Sequence, residues 1–331
     1  MDIRDRRGLK TAAGETLAGA SCDPKKLILI HTGATLALAL VLSVMDFMLE
    51  EQIGGTGGLS GMGLRAILST MQSVLQLAQT VLIPFWQIGW LFVTLRLSRG
   101  ERAEPGDLLE GFRRFFPVLR LYLLQGVLYV GIAMVCSYIA SIIFVMTPWS
   151  DPLVKVMMQF MESGDLTAME AAIEEVTAEV IVPMMAIFAV IFLAAAAPFF
   201  YRFRMARFLL MDGESRAMKA MRESWRMMKG NAIALLKLDI SFWRFYALDL
   251  LVTVVAYLDL ILPAAGVTLP WPSAVTYFGA LVLYSGFQLL LYWQCRPQVD
   301  VTYAKAYEAL SRPEEPKMQN QPLPPKQPWT Y

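Results

Sequence analysis

The residues with the most chemistry to offer are polar and ionisable side chains set inside long apolar runs. Asp249 lies nearest the middle of the apolar stretch 233–262. A carboxylate there is costly to hold and normally faces a cavity or a partner. At helical steps of three and four, Asp239, Phe242, Tyr246, Asp249, Thr253 and Tyr257 fall along one stripe. Tyr277, Tyr284, Gln288 and Tyr292 form a second stripe on 273–294, and Gln72, Gln76, Gln79 and Gln87 a third on 64–97. Two chemistries fit these stripes. They are hydrogen bonds between helices, each contributing about 0.6 kcal/mol, or they line a path for a polar or cationic solute with Asp249 as its counter-charge. The candidate intramembrane site is Asp249, Asp239, Tyr246, Thr253, Tyr284 and Gln288.

Other catalytic constellations are missing from the sequence. The one histidine, His31, excludes histidine clusters for zinc and any site that needs two imidazoles; it reads as a packing residue. Cys22, Cys136 and Cys295 are far apart and lack metal or redox spacing, so they are expected as reduced thiols. The glycines at 54–63 do not have the spacing of a phosphate loop. The expectation is no catalytic residue, no cofactor, no metal and no nucleic-acid partner.

The elements that would position these residues are membrane helices. Apolar residues make up 56% of the 331 and charged residues 17%, against about 25% charged in a soluble domain. Residues 1–26 lack the apolar core and cleavage site of a secretory signal, which makes the first apolar run an anchor. Runs at 27–49, 73–97, 115–146, 180–201, 233–262 and 273–294 each approach the roughly 20 residues a helix needs to cross hydrocarbon. The 233–262 run is the one most interrupted by charge. The expected fold is all-α: a polytopic bundle of six spans (27–310), a cytoplasmic amphipathic arm (1–26) and a disordered Pro-rich tail (311–331). Of 29 lysines and arginines, only Arg65 and Lys155 fall on the side that carries the acidic segment 147–179. By the positive-inside rule both ends are cytoplasmic.

The stretch 216–229 reads as a basic amphipathic helix. Met218, Met221, Trp225 and Met228 recur at helical spacing, and Arg216, Lys219, Arg222, Arg226 and Lys229 fill the rest. Such a helix suits an anionic bilayer surface. With Trp225, these basic residues form a candidate membrane-surface site. The triplets Glu15-Thr-Leu17, Glu110-Gly-Phe112 and Glu223-Ser-Trp225 share an acid, small, apolar order, each shortly before a span. They suggest three tandem units, each an interfacial helix followed by a hairpin. The second opens with the capping signature Asp107-Leu-Leu-Glu110.

Several motifs together carry a family resemblance. They are Pro198-Phe-Phe-Tyr-Arg-Phe-Arg-Met-Ala-Arg-Phe-Leu-Leu210, Ala217-Met-Lys-Ala-Met-Arg-Glu-Ser224, Met227-Met-Lys-Gly-Asn231, Leu238-Asp-Ile-Ser-Phe-Trp243, Leu97-Ser-Arg-Gly-Glu101, Leu109-Glu-Gly-Phe112 and Ala304-Lys-Ala-Tyr-Glu308. The chain resembles the bacterial domain-of-unknown-function nine-seven-five membrane family over about residues 1–311. The resemblance implies an integral protein of a bacterial inner membrane and transfers no catalytic residue. Three functional classes remain open. A non-enzymatic scaffold or accessory subunit would dock partners through 147–179 or the tail. A small-solute permease would use the stripes around Asp249, and a membrane enzyme would need acid, base or metal ligands that the sequence does not pair.

Overall fold

The computed structural model describes residues 2–55, 62–163, 166–214, 216–258, 261–262 and 273–311. The Pro-rich tail therefore lies outside the described residues, as does Asp165. Among the described residues there are helices and no strands. Five helical stretches are long and apolar enough to cross a membrane: Pro24–Leu49, Ala66–Ser98, Phe115–Val145, Val180–Met211 and Ala274–Ser311. The expected continuous fifth span is instead two shorter helices, Ala232–Ile240 and Trp243–Ala256.

The chain divides into two compact units, Met1–Arg113 with Ala234–Tyr331, and Arg114–Ile233. The first is discontinuous in sequence. It holds α1 (Arg6–Ala18), α2 (Pro24–Gly55), α3 (Met62–Ser98) and the short α4 (Glu110–Arg113). In the second unit α5 (Phe115–Val145) and α7 (Leu166–Phe203) form a hairpin. Between them the first part of the acidic segment forms a 3-10 turn, Pro148–Ser150, and α6 (Asp151–Ser163), and the rest, from Leu166, opens α7. Two shorter helices, α8 (Ala206–Met211) and α9 (Ala217–Met228), follow α7. The first unit is completed by α10 (Ala232–Ile240), α11 (Trp243–Ala256) and α12 (Ser273–Ser311).

In the first unit burial concentrates at one end. Leu27 and Ile28 at the start of α2, Trp90, Val93 and Leu97 near the end of α3, Ala13 of α1, Leu108 and Val301 of α12 pack into one core. Each large apolar side chain sealed there contributes about 2 kcal/mol. Beyond this cap the helices turn apolar residues outward; Leu77 is 64% exposed. That surface suits lipid, which is as apolar as the side chains that meet it. The α5–α7 hairpin of the second unit is apolar outside as well, with Val127 74% exposed.

The segment after α3 shows how the cap is closed. Gly100, at φ 74°, lets the chain leave the helix in a left-handed conformation. Asp107 then accepts the Glu104 N–H at 2.8 Å and pairs with Arg96 at 2.7 Å. The cap therefore sits on the 3-10 turn Pro105–Leu109, three residues before the position that Asp107-Leu-Leu-Glu110 suggested. From there the backbone lies directly on α3. A Cβ on Gly89 would collide with the Leu108 carbonyl, and one on Gly111 with the Phe85 carbonyl.

Candidate functional site

The break between α10 and α11 contains neither glycine nor proline. Its cause is competition for carbonyls. Ser241 Oγ donates to the Leu238 carbonyl at 2.6 Å and its N–H to the same oxygen at 3.0 Å, so the Phe242 N–H falls back on Asp239 at 2.9 Å. Lys10 of α1 then takes the Ser241 carbonyl with its ammonium at 2.7 Å and sits 3.8 Å above the Phe242 ring. A cation thus fills a backbone acceptor that a continuous helix would have satisfied internally. Burial, and next to it the Arg6 charge, hold the Lys10 ammonium below the usual lysine range.

This break splits the stripe that the sequence suggested. Asp239 and Tyr246 join beside the break: the Tyr303 hydroxyl donates to Asp239 and meets the Tyr246 hydroxyl at 2.8 Å. Asp249 stands apart within α11, where Gln288 of α12 donates to its carboxylate at 3.2 Å. Tyr284 and Tyr292 lie near enough to the same carboxylate to feel its charge. Thr253 does not reach that carboxylate; its hydroxyl returns to the Asp249 backbone carbonyl at 2.8 Å. Of the third stripe, Gln76 and Gln87 face outward from α3. Tyr303 was not singled out by sequence reasoning. It continues the tyrosine stripe about three turns beyond Tyr292, past Pro297, which α12 runs through unbroken.

His31 is buried between aromatic rings. It stacks on Trp86 with centroids 5.5 Å apart, while the Trp86 indole donates to the His31 carbonyl at 3.1 Å. Trp90, beside it, donates to Asp300 at 2.6 Å, and Arg296 reaches the same oxygen at 3.2 Å. Among the described residues no group of three His, Cys, Asp or Glu side chains is placed to hold a metal ion. The three cysteines are free thiols.

In the second unit α9 forms where the basic pattern suggested, but its apolar face is not free for lipid. Met221 and Met228 are buried, and Trp225 packs on Phe203 and Phe199, with centroids 5.4 and 6.1 Å away. The Arg202 guanidinium lies 4.0 Å from the Trp225 ring. Met218 alone of that set remains exposed. Arg216, Lys219, Arg222, Arg226 and Lys229 all face outward. The helix therefore presents charge, and its hydrophobic side is spent within the unit, against α5, α7 and α8.

The triplets are alike in two of three places. Gly111 rests on the Phe85 carbonyl of α3 and Phe112 stacks on Phe85 at 5.8 Å. Ser224, fully buried, donates to the Arg202 carbonyl of α7 at 2.7 Å while Trp225 stacks on Phe203. Glu110 pairs with Arg113, and Glu223 with Arg226. In both, a small residue meets the backbone of the preceding long helix and an aromatic covers its ring. The first triplet departs: Thr16 bonds its own helix, at the Ala12 carbonyl.

Motifs that carry the family resemblance meet in the cap. Lys305 donates to the Ser98 carbonyl, and Glu308 accepts the Ser98 hydroxyl at 3.0 Å and pairs with Arg99 at 3.4 Å. Comparison with curated proteins and with solved structures found no match. A family model described as protein of unknown function (DUF975) matches residues 4–311. That span takes in every motif of the cap and both units, and the chain belongs to this family.

Proposed function

We propose that the protein crosses a bacterial inner membrane six times, with both ends cytoplasmic, and works as a non-enzymatic scaffold or accessory subunit. α10 and α11 together supply the sixth crossing, being long enough for a core that needs about 20 residues. The observation that carries the scaffold reading is the Asp249–Gln288 pair. The most deeply placed carboxylate is spent on joining α11 to α12. The outward basic face of α9 meets anionic headgroups by charge, and α6, with Met158 and Met161 exposed, offers a docking surface on the opposite side.

A second reading, a small-solute permease, is favoured by Gln288 Oε1, which is buried without a partner beside Asp249. A polar or cationic solute would satisfy both. Asp249→Asn and Asp249→Leu separate the two. For a scaffold, Asn is tolerated and Leu lowers stability by about 1 kcal/mol, since Gln288 loses its acceptor in lipid. A collapse of solute flux in Asp249→Asn vesicles, with stability unchanged, selects the permease and rejects the scaffold.

A further inference from the structure

A cavity of about 520 Å³ lies between the start of α1 and the α10–α11 break, lined by Arg4, Asp5, Arg6, Arg7, Lys10 and Ser241. Its charge is unbalanced. Asp5 is committed to its own helix, where Oδ1 accepts the Gly8 N–H at 2.9 Å as the N-cap of α1. The Lys10 ammonium has a carbonyl and a ring as partners, neither of them anionic. Among the described residues no carboxylate pairs with Arg4, Arg6 or Arg7, and all three are exposed. Burial first, and then the Arg6 charge, lower the proton affinity of Lys10, and an anion beside it would favour its charged form.

The surroundings of the cavity indicate what kind of anion fits. Ile240 and Trp243 flank Ser241 and are 59% and 61% exposed, so the cavity opens beside the start of an apolar helix face. Tryptophan concentrates at the headgroup level of a bilayer. Guanidinium forks match the paired oxygens of phosphate better than a point charge does.

We propose that this cavity binds a phosphate group, presented by an anionic lipid headgroup or as free phosphate. The lipid source rests on reading the break as lying at the membrane boundary. That reading is tested separately, by topology, whereas a binding titration needs no orientation.

The test uses the full chain purified in neutral detergent and titrated with phosphatidylglycerol, phosphatidylcholine or inorganic phosphate, binding being followed by native mass spectrometry. The wild type should prefer phosphatidylglycerol to phosphatidylcholine. The double variant Arg4→Gln/Arg7→Gln should weaken phosphatidylglycerol binding about thirtyfold, because two cations no longer face the headgroup. Arg102→Gln/Arg113→Gln, which removes the same charge from exposed positions outside both the cavity and α9, should leave it unchanged. Arg6→Gln repeats the test should the double variant misfold. Binding of inorganic phosphate as tight as that of the lipid assigns the site to free phosphate, and binding of the lipid alone assigns it to headgroups. Equal affinity of wild type and the cavity variants, or an equal loss in Arg102→Gln/Arg113→Gln, overturns the proposal.

Discussion

Gly111 meets Phe85 backbone to backbone: a Cβ on Gly111 would occupy the place of the Phe85 carbonyl oxygen and lie 3.2 Å from the Gly89 amide nitrogen. Neither neighbour is a flexible side chain, so the contact cannot relax locally. Gly111→Ala and Gly89→Ala should each cost about 1–3 kcal/mol through overpacking. Gly14→Ala is the control. Nothing lies within 4 Å of its Cβ, and a helical alanine there should gain up to about 1 kcal/mol. Thermal unfolding in detergent should separate the two signs.

The matching contact in the second unit can be tested in the same way. Ser224→Ala leaves the Arg202 carbonyl without its side-chain donor and should cost about 1 kcal/mol. Trp225→Ala removes the packing on Phe199 and Phe203 and should cost about 3 kcal/mol or more. Hydrogen exchange should locate both losses in α7–α9, and protection that stays uniform there would contradict the assignment.

Acid should loosen the entrance to α9. The Lys219 ammonium, then the Arg216 N–H, hold the exposed Glu214 carboxyl below the usual carboxylate range. A depressed folded value adds stability above the unfolded pKa and loses it as pH falls through the folded one. Exchange of the amides at 216–220 should therefore speed up as pH drops below about 4, after correction for intrinsic rates. Glu214→Gln should be faster than wild type at neutral pH and should lack this step.

Reporter fusions test the orientation. Those after Glu51, Asp165 and Pro270 should read as external, and those after Gly106, Gly230 and Pro316 as cytoplasmic. A reversal at any of the six contradicts six spans.

The long apolar helices were legible because length and hydropathy decide them, almost independently of neighbours. The basic helix was legible as a helix, and its packing partners were not. Its methionines at helical spacing suit lipid and neighbouring helices equally, and tertiary contact buries Met221 and Met228. The break at Ser241 was hidden because its causes are a side-chain hydrogen bond and a lysine from α1, both invisible to local pattern. The stripe through Asp239 and Asp249 assumed one unbroken helix and failed at that break. Gln288 stood out in the sequence because it shares a face with three tyrosines, whereas Tyr303 lay beyond a proline that periodicity treats as a stop.

The cap of the first unit has a consequence for synthesis. α1 is made well before α12, the last of the described helices, yet the two pack against each other and share a core. The second unit, by contrast, is one continuous stretch of chain. During translation α5–α9 have everything they need to pack as they emerge, while α2 and α3 wait with Trp90 and Leu97 uncovered until Val301 arrives. A chain released before Val301 would thus carry a finished middle and an open cap whose exposed core invites proteolysis. Closing the cap therefore waits until α12 has been made.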